Sequence, residues 1–118
     1  MGTLIQKKKF YQTIVAKYVE QLALQYAESL GNDLEYQAII DLKNNHFQLA
    51  RLGWSNRQFF YQILLHLDIK VDGKVWIQQN NTEILVGETL AKQGILRTDM
   101  VLGFRPQYLR EQTEFATA

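Results

Sequence analysis

The residues best suited to chemistry lie in one alternating stretch of the chain. His66 and Asp68 are two positions apart, so a β-strand places both side chains on the same face. An imidazole and a carboxylate on one face can share a metal ion. The chain has no cysteine, and its other histidine, His46, falls on a different predicted strand. We therefore expect a hydrogen-bonded structural histidine and predict no metal site.

A nuclease hypothesis rests on the same stretch. Asp68-Ile69-Lys70 has the acid-x-lysine form found in many metal-dependent nuclease cores. About one such triplet is expected by chance at this composition. Asp41 is a weak candidate for the second acid, because its strand need not lie next to that of Asp68.

Other patterns indicate binding rather than catalysis. Lys7-Lys8-Lys9 either contacts phosphates or forms a solvated helix face, and the second interpretation is favoured. The net charge is only +1, whereas DNA-binding modules usually carry a clear basic excess. We recognise no glycine-rich phosphate loop, nucleophile elbow or paired-carboxylate cleft. The sequence thus predicts no catalytic residue, no cofactor and no enzymatic activity.

Length and composition predict one cytoplasmic domain over residues 1–118. The absence of cysteine excludes disulfides, thiol catalysis and cysteine-based zinc sites, and it fits a cytosolic protein. No apolar run approaches the roughly 20 residues of a membrane span. A polar-interrupted segment follows residues 7–9, so no signal peptide is expected.

The first element is a long amphipathic helix over residues 3–30. Thr3 and Gln6 have the spacing of a capping box, and Gly31 is suited to end the helix. The predicted core stripe consists of apolar and tyrosine residues at helical spacing: Tyr11, Ile14, Val15, Tyr18, Leu22 and Tyr26.

A period-two pattern then predicts two antiparallel strands, at 34–42 and about 46–54. Asn44-Asn45 is expected to form a two-residue turn, since asparagine tolerates the left-handed region. The expected pairs across this turn are Leu42 with Phe47 and Ile40 with Leu49.

The third strand, at 58–70, carries an unbroken apolar face on its odd-numbered positions. We predict a three-residue loop, Val71-Asp72-Gly73, with Gly73 in the left-handed position of a G1 bulge. A two-residue turn would put the apolar residues of the fourth strand, which ends near Asn80, on the opposite face. The expected pairs are Ile69 with Val75, Asp68 with Trp76, Leu67 with Ile77, His66 with Gln78 and Lys70 with Lys74.

A helix at 83–93 follows, capped by Asn81 or Thr82 and ended by Gly94. Thr98-Asp99 is expected to cap one further turn, and 100–104 is either helix or strand. Pro106 opens a tail anchored by Tyr108 and Phe115. The predicted fold is α+β: a long N-terminal helix packed on a four-stranded antiparallel meander sheet, with a C-terminal helix and a short further helical or strand segment.

This register also predicts a second face of the sheet, turned away from the core. A solvated face would not collect so many large apolar groups, so we expect something to cover it. The C-terminal tail or a second copy of the chain is favoured, ahead of another protein. The candidate partner-binding face consists of Phe60, Leu64, His66, Asp68, Trp76 and Gln78, with Gln62 beside them.

Three stretches together resemble one family. The run 66–83, with its HxDIK and GKxWIQQNxTE strings, looks like the signature of the XisI family, the fdxN-element excision controlling factors. Residues 46–54 and 101–116 are similar to the same family, in the same order. Arg105 departs from the family pattern, in which a histidine precedes the proline.

The resemblance implies a cyanobacterial, cytosolic protein with a helix, an antiparallel sheet and C-terminal helical pieces. Such proteins are associated with programmed excision of a DNA element by a site-specific recombinase during heterocyst differentiation. They are regulatory accessory factors, often encoded beside a XisH-type partner, and no catalytic residues carry over from them.

We therefore expect a non-enzymatic factor that acts through protein contacts, as a homodimer and with a XisH-like protein and a recombinase complex. Three alternatives remain open: a directionality factor that contacts DNA directly, a small metal-dependent nuclease, and the antitoxin-like partner of a nuclease-like protein.

Overall fold

A computed structural model describes residues 2–30 and 33–118, and its first element is helix α1, Leu4–Leu30. The predicted capping box is confirmed: Thr3 N donates to Gln6 Oε1 at 2.9 Å, and Gln6 N donates to Thr3 Oγ1 at 3.2 Å. The predicted C-terminal cap, Gly31, lies outside the described residues. The buried stripe of α1 follows helical spacing and comprises Tyr11, Val15, Tyr18, Val19, Leu22 and Ala23, with Ile14 and Tyr26 partly buried beside it.

Strands β1, Glu35–Asp41, and β2, His46–Ser55, form the first hairpin. Their connection has four residues, 42–45, so the predicted two-residue turn is wrong. The register therefore differs by two positions from the prediction, which leaves the core face unchanged. The observed pairs are Asp41 with His46, Ile40 with Phe47 and Ala38 with Leu49.

The Asp41 side chain explains this longer turn. Its Oδ1 accepts the backbone N–H groups of Lys43 and Asn44, both at 3.0 Å, which ends the strand at Asp41. Asn45 then takes a positive φ of 59°, a conformation that asparagine tolerates. Leu42 lies in the turn and is exposed rather than paired with Phe47.

The hairpin of β3, Gln58–Ile69, and β4, Val75–Asn80, has the predicted three-residue loop. Gly73 has a φ of 87°, and Lys70 N donates to Lys74 O at 2.9 Å. A Cβ on Gly73 would lie 2.9 Å from Leu4 Cδ1, so the loop packs against the start of α1. The pairs Ile69 with Val75, Asp68 with Trp76 and Leu67 with Ile77 are confirmed.

A β-bulge interrupts the pairing of β2 with β3. Pairing is regular from the Asn56-Arg57 turn to Ala50–Ile63, and it resumes at Leu49–Leu65, with Leu64 as the extra residue. Residues directly opposite each other share a side, so the odd-numbered residues of β3 change face at this bulge. The predicted unbroken apolar face is therefore wrong. Leu65, Leu67 and Ile69 are in the core, whereas Phe59, Tyr61 and Ile63 point to the other side.

A second bulge lies in β4. Gln78 is the extra residue there, and His66 pairs with Gln79 instead of the predicted Gln78. Alternation alone does not reveal such an insertion, because the side chains on either side of it still alternate.

Helix α2, Val86–Lys92, begins three residues later than predicted, and its N-cap is Leu85 rather than Asn81 or Thr82. Asn80 Oδ1 instead accepts the backbone N–H of Thr82 at 3.0 Å, and Thr82 Oγ1 accepts that of Ile84 at 3.2 Å. These bonds hold the segment in a turn that competes with helix. Gly94 ends the helical segment with a φ of 118°, as predicted.

The C-terminal part adds a fifth strand. A 3-10 turn at Arg97–Asp99 leads into β5, Met100–Leu102, which pairs in parallel with β4. The segment that the sequence left as helix or strand is therefore a strand. A four-residue helix α3, Gln107–Arg110, follows. The α+β class is confirmed, with strand order β1-β2-β3-β4-β5 in a mixed sheet.

The core lies on one face of this sheet. Buried residues of α1 and α2, including Val15 and Leu90, belong to the same cluster as Phe47, Leu65 and Ile77. In the described part of the chain, the opposite face of the sheet has no comparable helical layer, and we name it the open face. Although α1 has 27 residues, neither it nor any other described helix is apolar enough to cross a membrane.

Candidate functional site

Three side chains on the open face form a cluster around one carboxylate oxygen. His46 Nδ1 lies 2.7 Å from Asp68 Oδ1, and His66 Nε2 lies 2.9 Å from the same atom. The side chains are 55%, 29% and 9% exposed for His46, His66 and Asp68 in turn. We call these residues the histidine–aspartate cluster. It confirms that His66 is hydrogen-bonded, and it adds His46, which sequence reasoning had set aside.

The bulge at Leu64 brings His46 to Asp68. If the regular pairing from the Asn56-Arg57 turn continued to the other end of β2, His46 would pair with Leu67, and Asp68 would lie on the opposite face of the sheet from His46. The extra residue moves the register by one, so His46 pairs with Asp68 on the open face. The predicted meander already placed β2 next to β3. No pattern in the sequence indicated the bulge.

The Asp68 carboxylate has further polar neighbours. Gln78 Nε2 donates to Asp68 Oδ2 at 3.1 Å, and Lys70 Nζ lies 3.9 Å from that oxygen. Burial raises the pKa of the Asp68 carboxyl, but the hydrogen bonds from His46, His66 and Gln78 outweigh burial. The net pKa lies below its ordinary value, so Asp68 is ionised at neutral pH.

The ionised carboxylate fixes the protons on the two imidazoles. A carboxylate only accepts hydrogen bonds, so the proton lies on Nδ1 of His46 and on Nε2 of His66. In neutral His66, Nδ1 is then an acceptor, and Gln48 Nε2 lies 3.4 Å from it. The cluster borders an open cavity of about 370 Å³ lined by Ile39, Asp41, His46, Gln48 and His66.

Two cations lie near the Trp76 ring at the border of the cluster. Lys70 Nζ is 5.7 Å from the centre of its ring, and the Arg110 guanidinium carbon is 5.3 Å from it. Arg110 Nη1 also donates to Thr117 O at 2.6 Å. The C-terminal segment therefore contacts one edge of the open face.

The predicted candidate face is divided by the bulge. His66, Asp68, Trp76 and Gln78 do lie together on the open face. Leu64 instead belongs to the buried core cluster. Phe60 lies 5.5 Å from the guanidinium of Arg51, a position of β2 on the same side as Leu49. The grouping of Phe60 and Leu64 with the histidine is therefore wrong, as is that of Gln62, which accepts a hydrogen bond from Arg51.

Other large apolar side chains take their place, among them Phe59 and Tyr61, which the prediction had assigned to the apolar face of the third strand. The centres of the Trp54 and Phe59 rings lie 5.2 Å apart at the end of the β2–β3 hairpin. Tyr61 pairs with Leu52 on the same face. Together with Ile39 of β1, they form what we call the aromatic strip. Its members are Ile39, Trp54, Phe59 and Tyr61, which are 41%, 64%, 52% and 66% exposed.

Comparison with known proteins decides the family. The sequence model of the XisI family, described as XisI protein, matches residues 5–117. The chain belongs to the XisI family. A search of curated proteins finds none that matches this XisI chain.

Two solved structures are similar to this XisI chain over almost its full length. A XisI-like protein from Anabaena variabilis is 35% identical, with a TM-score of 0.83, and the match covers 98% of this chain and 100% of that one. The fdxN element excision controlling factor XisI from Anabaena variabilis is 28% identical, with a TM-score of 0.79, over 95% of this chain and 99% of that one.

The structure also addresses the nuclease hypothesis for this XisI chain. Asp41 and Asp68 lie on β1 and β3, which β2 separates. Strands two places apart are about 10 Å from each other. The Asp41 carboxylate is bound to the turn that follows it, which lowers its pKa through the backbone and side-chain hydrogen bonds of Asn44. The second acid that we considered therefore does not join Asp68.

Proposed function

We propose that this XisI chain is a non-enzymatic, cytoplasmic accessory factor in the excision of a DNA element by a site-specific recombinase. It acts through contacts of its open face with a XisH-like protein. The observation that carries the contact is the aromatic strip, which exposes four large apolar side chains on a sheet face without a helical layer. The link to excision is supported by the relative whose structure is named an excision controlling factor.

The composition of the open face supports an interface. Aromatic residues, above all tryptophan and tyrosine, contribute most strongly to protein–protein binding when a partner covers them. The strip supplies Trp54, Phe59 and Tyr61 for this purpose. The histidine–aspartate cluster and Gln48 lie beside it and supply polar groups of the kind found at the rim of interfaces.

The test is binding of the purified chain to the XisH-like protein. Tyr61→Ser removes an exposed ring from the strip without opening the core, and we expect it to weaken binding at least about tenfold. Leu24→Ser is the matched control, because Leu24 is 63% exposed but lies on α1. Isothermal titration and co-purification measure both variants. Equal binding by the two variants, or no binding by the unchanged chain, would contradict the proposal.

The same strip supports the homodimer that we expect in the absence of the partner. Sedimentation velocity across protein concentrations measures this association, and Tyr61→Ser should shift it towards monomer while Leu24→Ser leaves it unchanged. Addition of the XisH-like protein should then replace the homodimer, since both associations use one surface. A ternary assembly that retains the full homodimer would argue against a shared surface.

A further inference from the structure

The structure assigns a binding site for a divalent transition-metal ion of the zinc class to the histidine–aspartate cluster. Its ligands are Nδ1 of His46, Nε2 of His66 and Oδ1 of Asp68. Each of the three residues has a potential ligand atom within 4.8 Å of those of the other two. This inference does not depend on the proposed function, and it revises the sequence-based expectation that the chain has no metal site.

The geometry requires only a small adjustment. Ligand atoms at zinc-bond lengths of about 2.0–2.2 Å in a tetrahedral site are about 3.4 Å apart. His46 Nδ1 and His66 Nε2 lie 2.7 and 2.9 Å from Asp68 Oδ1, so both rings need to move away by less than about 1 Å. His46 is at the surface and has room for this movement.

The donor set selects the class of metal. Two imidazole nitrogens and one carboxylate suit Zn²⁺, Co²⁺ or Ni²⁺ better than Ca²⁺ or Mg²⁺, which prefer oxygen ligands. Three protein ligands beside an open cavity leave a coordination position for water or for a group of a partner. The buried, ionised Asp68 supplies the negative charge that attracts the ion.

Neighbouring amides hold the ligands in place. Gln78 binds the second oxygen of Asp68 and so fixes the carboxylate with Oδ1 towards the histidines. When His66 Nε2 binds a metal, its proton moves to Nδ1, and the amide oxygen of Gln48 is positioned to accept it after rotation of the amide group. Metal-bound histidines commonly have such a partner.

The test uses tag-free, chelator-treated protein. The chain contains only two histidines, His46 and His66, so any loss of binding on changing a histidine reports on this cluster. Titration calorimetry with Zn²⁺ and Co²⁺ should show one ion per chain with a dissociation constant at or below about 10 µM, which is about −7 kcal/mol. Imidazole ¹⁵N resonances of both rings should shift together on addition of Zn²⁺.

His46→Gln and Asp68→Asn should each weaken Zn²⁺ binding at least about tenfold. Glu111→Gln is the charge-matched control for Asp68→Asn, because it removes one exposed carboxylate from the C-terminal segment. If Asp68→Asn does not fold, His46→Gln carries the test, since His46 is exposed and its variant is checked by circular dichroism. Two results would overturn the proposal. One is no detectable binding at about 1 mM metal, which places the dissociation constant above about 1 mM. The other is equal Zn²⁺ affinity in His46→Gln and the unchanged chain.

Discussion

Tyr11 and Tyr18 lie two helical turns apart on the buried stripe of α1, and both have a pKa raised to about 12. Burial is the main cause for each. For Tyr11, the hydrogen bond to Asp99, with 2.5 Å between Oη and Oδ2, raises the pKa further. Lys7 Nζ lies 2.9 Å from the same Asp99 oxygen, so Tyr11 and Lys7 join the start of α1 to the 3-10 turn.

Tyr18 is buried differently, and this leads to a prediction about alkaline stability. Among the described residues, its hydroxyl has no hydrogen-bond partner of normal geometry. An unfolded tyrosine has a pKa of about 10. Folding raises this pKa to about 12. The contribution of neutral, buried Tyr18 to folding stability is therefore fully present below pH 10 and is lost as the pH rises through 12.

Tyr18→Phe should therefore leave stability at pH 7 unchanged within about 1 kcal/mol and reduce the loss of stability above pH 10. A difference of one in pKa between the folded and unfolded states corresponds to about 1.4 kcal/mol. Urea unfolding at pH 7, 10 and 11.5 measures the effect, with Tyr108→Phe as the control because Tyr108 is exposed. Equal losses of folding stability above pH 10 in Tyr18→Phe and Tyr108→Phe would show that the burial of Tyr18 does not cause the alkaline destabilisation.

At the level of elements, the order from α1 to α2 and the three-residue β3–β4 loop follow from the sequence, because turn residues and alternation specify them. Gly73 indicates the three-residue loop, because only the register set by that loop keeps Ile69 and Val75 paired on the buried face. The two bulges could not be predicted, because one extra residue leaves the local pattern of apolar residues unchanged. The predicted site lacked His46 for the same reason, because His46 pairs with Asp68 only when Leu64 is the extra residue.

Two other differences have local causes. The β1–β2 turn depends on the Asp41 side chain, whose bonds to Lys43 and Asn44 compete with a tighter turn. Strand β5 has only three residues, Met100–Leu102, so it is too short to show a period. Its parallel pairing with β4 depends on the path of the intervening helix α2, which is a tertiary property.

The β3–β4 loop gives a prediction at this scale. Gly73→Ala places a side chain at a φ of 87° and a Cβ 2.9 Å from Leu4 Cδ1, so we expect a loss of about 1–2 kcal/mol of stability. The variant Leu4→Ala removes the steric part alone. In a double-mutant cycle, the combined variant should lose less than the sum of the single variants. Full additivity in urea unfolding would contradict a contact between the loop and α1.

At the level of the whole molecule, the C-terminal segment joins both faces of the sheet. Phe115 lies on the core side, where a Cβ on Gly87 would be 2.7 Å from its ring. Ala116 N donates to Met100 O at 2.8 Å beside the outer strand β5. Arg110 reaches Trp76 on the open face. The segment therefore covers the edge of the sheet that would otherwise expose unpaired backbone groups.

Arg110→Ala should loosen this segment, because it removes the bonds from Nε to Arg105 O at 2.8 Å and from Nη1 to Thr117 O at 2.6 Å. We expect a loss of about 1–2 kcal/mol and a red shift of Trp76 fluorescence as the ring becomes hydrated. The measurement uses a Trp54→Phe background, which leaves one tryptophan. Arg105→Ala is the control, since its guanidinium contacts Phe104 instead. Unchanged emission in Arg110→Ala would mean that Trp76 is held by Lys70 alone.

The extra residue at Leu64 has a consequence for how this fold can diversify. Because β3 changes face there, substitutions at Phe59 or Tyr61 alter the outward surface without entering the space filled by Leu65 and Leu67. One strand thus contains a half whose odd-numbered residues are fixed by core packing and a half whose odd-numbered residues lie outside the core. The outward surface of such a chain can therefore change while the packing around Leu65 and Leu67 stays the same.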